Sequence, residues 1–352
     1  MKDYRRKEGR KGSEKIRIKQ TRLSSYLWEN EKLSPDKLGR INVLSLFDGI
    51  SCGKVAIENL GIEIDNYYTS EIDKYAIAIS DYNFKNNIKL GDINNWKNWD
   101  INWADIDLVL AGFPCQSWSA NGNLLGIEDV KGQLVYPMLK IIDKIRLLNP
   151  DVKIILENVK MKSQFQDFLT DLIGVKPILI NSSLVSAQNR ERLYWSNVSN
   201  IEIPQDEGIF FKDIMEISPS VIKGGKLKEY HKNKEGKLTV RGLCHIGTAD
   251  INGMDSIKRV YHPSGKCPTL QTSTGGNREP KFSIDDTTWR KITPIEAERL
   301  QTLNDDYTRY GIINGHRVNI SNTQRYQTTG NGWTVKIIQA FLEAWIRECH
   351  RA

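Results

Sequence analysis

Between residues 41 and 159 one pattern recurs: a short apolar, β-prone run breaks off into glycine or polar residues, and a helical or irregular stretch follows. Ile41-Asn42-Val43-Leu44-Ser45-Leu46-Phe47 runs into Asp48-Gly49-Ile50-Ser51-Cys52-Gly53, with a short helix expected through Leu60. Asn66 to Ser70 ends at Glu71, and Ile88-Lys89-Leu90-Gly91 ends at Asp92. Asp107 to Gly112 is followed by Phe113-Pro114-Cys115-Gln116. A helix from about 132 to 148 then leads to a strand over Lys153–Leu156 that ends at Glu157-Asn158-Val159. Apolar runs of this kind are buried on both faces, and strands joined through helices lie parallel. The expected fold class is α/β, a mostly parallel sheet with helices on both faces. Ligands of such sheets bind beyond the carboxyl ends of the strands. Every glycine or polar signal named above falls at one of those ends.

The rest of the chain behaves differently. Residues 1–40 are polar without a clear period and read as a basic arm and lead-in. Residues 41–198 carry the alternating pattern. Residues 199–280, rich in Gly, Lys and Asn with short β-like runs, read as a small β-rich second lobe. Residues 281–352, helical in pattern over Pro294–Leu303 and Thr334–Glu348, return to the sheet domain. Charge follows the same divisions. The net of +7 combines +7 over residues 1–22, −8 over 23–219, +7 over 220–281 and a nearly neutral +1 over 282–352. Basic segments flanking an acidic body suit a polyanion touched by particular regions, or are simply solvated faces. With 39% hydrophobic residues a sizeable core is available. No apolar run reaches the length of a membrane span, and no apolar stretch follows the basic N-terminus as in a secretory signal. Five irregularly spaced cysteines do not form a disulfide framework. A reduced, cytoplasmic enzyme is expected.

The first glycine turn, Gly49-x-x-x-Gly53, has neither Walker nor dinucleotide spacing, and Val55 stands where a Walker loop needs Ser or Thr. Glu71, about 20 residues on, could accept from both hydroxyls of a ribose. Asp92, at the third strand end, could accept from an adenine amine. A turn without phosphate-binding spacing, followed by two acids, favours a cationic nucleoside, and S-adenosylmethionine fits. Cys115 could be a nucleophile or a buried structural cysteine. Glu157 follows four apolar residues, so desolvation could raise its pKa and let it donate a proton; it could equally be an ordinary strand-end acid. Gln188-Asn189-Arg190-Glu191-Arg192 spaces two arginines at period two, suited to a phosphate or oxo group or to a salt-bridged edge. Cys244, His245, His262 and Cys267 match none of the usual zinc spacings, so no metal is expected. Cys52 and Cys349 read as packing residues.

These segments together resemble the cytosine-C5 DNA methyltransferases. Phe47-Asp48-Gly49, Pro114-Cys115-Gln116, Glu157-Asn158-Val159, Gln188-x-Arg190-x-Arg192 and Gly330-Asn331 stand in that family's order and spacing. So do Arg259-Val260-Tyr261, Gly265 through Leu270, Gly275-Gly276, and Arg290 with Thr293-Pro294 and Glu296-x-x-Arg299-Leu300-Gln301. The likeness spans roughly residues 41–345. Two motifs depart from the common bacterial forms: Asp48 replaces an alanine, and Gly-Asn-Gly-Trp-Thr-Val replaces Gly-Asn-Ser-Val. Both Asp48 and Trp333 are closer to the animal de novo branch.

The resemblance implies a Rossmann-like, S-adenosylmethionine-dependent methyltransferase fold, and it implies roles. Cys115 would attack carbon 6 of a flipped-out cytosine, Glu157 would protonate or hydrogen-bond N3, and Arg192 would hold the exocyclic oxygen and orient Glu157. Arg190 belongs with this catalytic group, although it and Gln188 look structural or backbone-contacting. The cofactor would meet Phe47, Asp48, Gly49, Gly53, Glu71, Ile72, Asp92, Ile93, Pro114, Asn331 and Trp333. Residues 116–131 would be a loop closing over the base, with Gln116, Ser117 and Ser119 touching the substrate, as would Gln188. The lobe occupies the place of the target-recognition region, where Lys226, Lys228 and Arg241 would mostly meet phosphates. The implied partner is duplex DNA, met by a monomer in a bacterial or phage-infected cell, with a cognate restriction endonuclease as a further candidate partner. An RNA methyltransferase on this scaffold and a non-catalytic DNA-binding module are the competing functions.

Overall fold

The computed structural model describes residues 35–114, 132–217, 224–272 and 277–351. In chain order the sheet domain contains β1 (Ile41–Leu46), α1 (Cys52–Asn59), β2 (Ile64–Ser70), α2 (Lys74–Asn83), β3 (Asn87–Lys89) and β4 (Leu108–Gly112). It continues with α3 (Val135–Leu148), β5 (Lys153–Val159), α4 (Ser163–Ile173), β6 (Ile178–Asn181) and β7 (Glu191–Ser196). The strands form one seven-stranded sheet in the order β3-β2-β1-β4-β5-β7-β6. Its central strands are apolar because both faces are covered. Leu44, Leu46, Val109, Ala111, Ile154 and Leu156 share one core cluster with Met138, Ile141, Ile142 and Ile145 of α3. Both β2 and β4 pair with β1 in parallel. The chain thus winds outward in two directions from β1, and the crevice at the β1/β4 carboxyl ends is the switch point where such sheets bind ligands.

The sequence pattern missed the reversal at the sheet's edge. β7 runs antiparallel to β5 and β6, so the chain enters β7 at the carboxyl end of the parallel strands. Glu191 and Arg192 are delivered there by that reversal.

The second lobe contains α5 (Phe211–Ile214), β8 (Gly224–Tyr230), β9 (His245–Ala249), α6 (Asp255–Lys258), β10 (Arg259–Tyr261), β11 (Lys281–Ser283) and β12 (Thr288–Lys291). Its strands close into a small barrel in the order β10-β11-β12-β8-β9. A boundary at residue 280 therefore falls between barrel strands, because β11 and β12 are needed to close the circle. The chain returns through α7 (Pro294–Leu300), a hairpin of β13 (Tyr310–Ile313) and β14 (His316–Asn319), α8 (Asn322–Asn331) and α9 (Val335–Arg351). α7 starts on a capping box, with Thr293 and Glu296 bonding each other's backbone amides and Pro294 in its first turn. The buried Arg290–Glu296 pair (2.6 Å) ties that turn to β12. Among the described residues no helix is long and apolar enough to cross a membrane.

Candidate active site

The first wall is the turn after β1. Phe47 (φ 55°) and Ser51 (φ 60°) both hold left-handed backbone, as does Gly49 (φ 60°). For a bulky residue such as Phe47 that conformation is strained, and strain of this kind collects at functional sites. The turn is held by acids. Glu71 Oε2 accepts from the Gly49 amide at 2.8 Å, and Oε1 accepts from the amides of Ile72 and Asp73. Three of a carboxylate's roughly four acceptor positions are thus taken by backbone amides. Asp48 accepts from Ser51 Oγ (2.5 Å) and Tyr67 Oη (2.9 Å). Burial raises its carboxyl to about 6, against the opposing pull of these hydroxyl bonds. A cavity of about 150 Å³ lies beside the turn, lined by Asp48, Gly49, Thr69, Glu71 and Gly91 among others. Asp92 caps the turn 93–98 through bonds from Asn94, Ile72 is exposed, and Ile93 is a buried member of the core.

The second wall comes from β4 and the C-terminal segment. Gly112 ends β4, and a Cβ built there would lie 2.5 Å from Trp333 Nε1. Glycine is required because the indole lies directly against this backbone, just before Phe113-Pro114. Asn158, fully buried at the end of β5, donates from Nδ2 to the Phe113 carbonyl at 3.3 Å. It pins the β4 exit to its neighbour, a role the sequence did not reveal. Asn331 is exposed at the end of α8.

The third wall pairs Glu157 with Arg192. Gly112 lies opposite Glu157 in the parallel register, and Val159 opposite Arg192 in the antiparallel one. Alternate residues share a face, so Glu157 and Arg192 are diagonal neighbours on the same face. Arg192 Nε is 2.8 Å from Glu157 Oε1, with side chains 13% and 9% exposed. The N–H does not align with that line, and Glu157 Oε1 is a buried oxygen without a hydrogen bond among the described residues. The ion pair leaves acceptor capacity on that oxygen, and at a strand mouth it is a place for a ligand's donor.

Several residues named from the sequence have other duties. Arg190 is buried and its guanidinium donates to the carbonyls of Leu270, Gly330 and Gly332. It is a tether for the C-terminal segment, not a catalytic group, because its donors are directed into backbone. Gln188 is 0% exposed, donating to Leu300 O and accepting from the Leu270 amide, and so cannot touch DNA. Gly53 is a packing glycine: a Cβ there would lie 2.5 Å from Leu110 Cδ1, inside the sheet–helix contact. Ile93, assigned to the cofactor, packs into the core because its helical turn points it inward. Cys52 lies under Gly332, with burial pushing its thiol up to about 12. Cys244 Sγ donates to Lys234 O, and His262 pairs with Ser264. Among the described residues no three His, Cys, Asp or Glu side chains gather as metal ligands. Lys226, Lys228 and Arg241 are exposed on the lobe. Cys115, Gln116, Ser117 and Ser119 lie outside the described residues.

With this geometry in view, the comparisons with known proteins define the class. Residues 41–347 match the model of the C-5 cytosine-specific DNA methylase family, and the chain belongs to that family. It is a transferase of the cytosine-5 methyltransferase type. Among curated relatives it is similar to the orphan methyltransferase M.SPBetaI of Bacillus phage SPbeta, 24% identical over 88% of this chain and 98% of that one. It is also similar to the type II methyltransferase M.HhaI of Haemophilus parahaemolyticus, 26% identical over 88% and 95%. A solved structure of the Entamoeba histolytica methyltransferase EhMeth superposes with a TM-score of 0.61 at 15% identity, covering 88% and 98%, a likeness of fold.

Proposed function

We propose that this protein methylates carbon 5 of a cytosine flipped out of a short, specific duplex DNA sequence, using S-adenosylmethionine and a transient bond from Cys115. The observation that carries the proposal is Glu157 Oε1. This buried oxygen, ion-paired to Arg192 but without a hydrogen bond among the described residues, stands on the strand next to the one that leads into Pro114-Cys115. A cytosine ring there would offer N3 and its exocyclic groups to exactly this acid–guanidinium pair.

The residues divide the work. Cys115 Sγ adds to carbon 6, and the ring's electron pair moves to carbon 5. Glu157 donates to N3, so the negative charge that the addition would place on the ring is relieved. Arg192 holds the exocyclic oxygen and orients Glu157. Carbon 5 accepts the methyl group, its proton passes to a base, and the sulfur leaves as the 5,6 double bond re-forms and N3 returns its proton to Glu157. S-adenosylmethionine, when bound, supplies an electrophilic methyl on a sulfonium centre. The residues present suit it: the space over Gly49 is open, with no atom within 4 Å of a Cβ built there, and Asp48 and Glu71 flank the turn. Phe47, Ile72, Asp92, Pro114, Asn331 and Trp333 complete its surroundings in this proposal. Because the reacting edge is stacked inside duplex DNA, the base must be extruded at a cost of a few kcal/mol. We further assign the protein to a monomer acting in a bacterial or phage-infected cell, with a cognate restriction endonuclease as a candidate partner.

The test is expression of the full chain in a methylation-free bacterial host beside Cys115→Ser, with bisulfite sequencing of the genome. Methylated cytosines in one short context, absent from the variant, are expected. An unmethylated genome with soluble wild-type protein overturns the proposal, and methylation of transfer RNA instead would move the activity to RNA.

A further inference from the structure

Lys281 opens β11 and is 1% exposed. Its ammonium donates to three backbone carbonyls: Asn277 at 2.5 Å, Ile257 at 2.7 Å and Glu279 at 3.1 Å. All three donors of the lysine are therefore spent, and none goes to a carboxylate, since the Glu279 side chain pairs with Lys291. Burial, helped by Lys291, pulls its pKa down to about 8. Desolvating a cation for neutral carbonyls is expensive, and a methionine would fill the same space more cheaply. What the lysine gains is a junction between two segments distant in sequence, the end of α6 and the turn 277–279.

Those segments share one end of the barrel. Val260 pairs with Lys281 in parallel, and Arg259 pairs with Thr248, so the ends of β9, α6 and the approach to β11 lie together. Arg241 lies in the 231–244 connection, at the opposite end of β9. Leu270 is held by Gln188 and Arg190, and Gln271 O lies 2.5 Å from a Cβ built on Gly330, in the segment that brings Trp333 over Gly112. The clamped end exposes Asn252, Ser256, Arg259 and Arg278. These are side-chain types that hydrogen-bond base edges in the major groove.

Resting on the proposed DNA methylation, the geometry points to Lys281 as a positioning residue for sequence recognition: its ammonium locks the α6 and 277–279 segments into one base-reading edge. It touches no base itself. Its removal loosens two segments that must meet the same few base pairs, so discrimination falls more than turnover.

The experiment compares full-length wild type, Lys281→Met and Lys281→Gln in the methylation-free host. Bisulfite sequencing gives the ratio of methylation at the preferred context to that at contexts one base away. A roughly tenfold fall in this ratio is expected for Lys281→Met, the scale of one well-placed base contact, with a smaller fall for Lys281→Gln, which keeps an amide donor. A purely structural role would lower the melting temperature and total methylation while leaving the ratio unchanged, and that result overturns the assignment. So does loss of soluble protein in both variants, which would make Lys281 a folding residue. An unmethylated genome with wild type overturns the methylation proposal and the clamp's role together; an unchanged ratio amid normal methylation overturns the clamp alone.

Discussion

The sheet domain and the barrel lobe solve opposite problems. In the sheet, polar side chains that carry chemistry stand on strands buried from both sides, so their backbones are fixed by apolar packing. Glu157 follows Ile154, Ile155 and Leu156, all 0% exposed. In the lobe, the described apolar core is divided: Ala249, Val260 and Trp289 form a small cluster with Leu227 and Ile251 against it, while Phe211, Tyr261 and Phe282 belong to a second one that continues into α7. Buried polar side chains join these clusters in fixing its geometry: Lys281 to three carbonyls, Trp289 Nε1 to Lys226 O, and Arg290 to Glu296. A reaction centre needs atoms placed to a fraction of an ångström, which a close-packed core supplies. A recognition surface needs exchangeable side chains on a frame with little core to disturb.

The comparison breaks most sharply at Glu157. Glu157→Gln keeps the volume and replaces the carboxyl facing Arg192 with an amide that can neither act as an acid nor form the ion pair. On purified protein and duplex DNA, kcat should fall about 10²–10⁴-fold, the usual worth of a general acid. Losing the pair leaves Arg192 poorly matched, which costs on the order of 1–3 kcal/mol of stability. Activity must therefore be read at a temperature where the variant is folded. A kcat within threefold of wild type would remove Glu157 from the chemistry and leave it a strand-end acid in an ion pair.

Gly112 sharpens the same comparison from the packing side. Gly112→Ala places a methyl into the Trp333 indole, and Trp333 is followed by the buried Thr334 and Val335. Overpacking a site of this kind costs about 1–3 kcal/mol, seen as a lower denaturant midpoint at unchanged m. Because Phe113 and Pro114 follow directly, methyl transfer should fall by roughly tenfold more than the folded fraction does. Full activity per folded molecule would show that the Trp333 contact serves stability only.

What the sequence made legible follows the same division. The strands β1, β2, β4 and β5 were readable because double-sided burial writes continuous apolar runs, and their ends marked Asp48, Glu71 and Glu157. The reversal of β7 was not readable, since a six-residue strand looks alike in either direction; only pairing with β5 tells which end meets the site. Arg190 and Arg192 share a motif and a spacing, yet one is a tether and the other faces Glu157. That difference depends on Gly330 and Gly332, some 140 residues away. Asn158 looked like a neighbour of the catalytic acid because its partner, the Phe113 carbonyl, carries no side-chain signature. In the lobe, strands of three to seven residues closed by long-range pairing left no period to read, so a boundary drawn at 280 cut between barrel strands.

The smallest effect is expected on the lobe's outer face. Lys226 and Lys228 are both exposed on β8. If they meet phosphates, each neutralises one charge and releases counterions without sensing sequence. The double variant Lys226→Ala, Lys228→Ala should weaken DNA binding evenly across cognate and unrelated duplexes. The slope of log K against log salt should become shallower by about 1 for each lysine lost, while kcat at saturating DNA stays unchanged. An altered preference among duplexes would mean that this face reads bases. The lobe would then discriminate through its strand surface as well as through the end held by Lys281, and its division from the sheet domain would have to be redrawn.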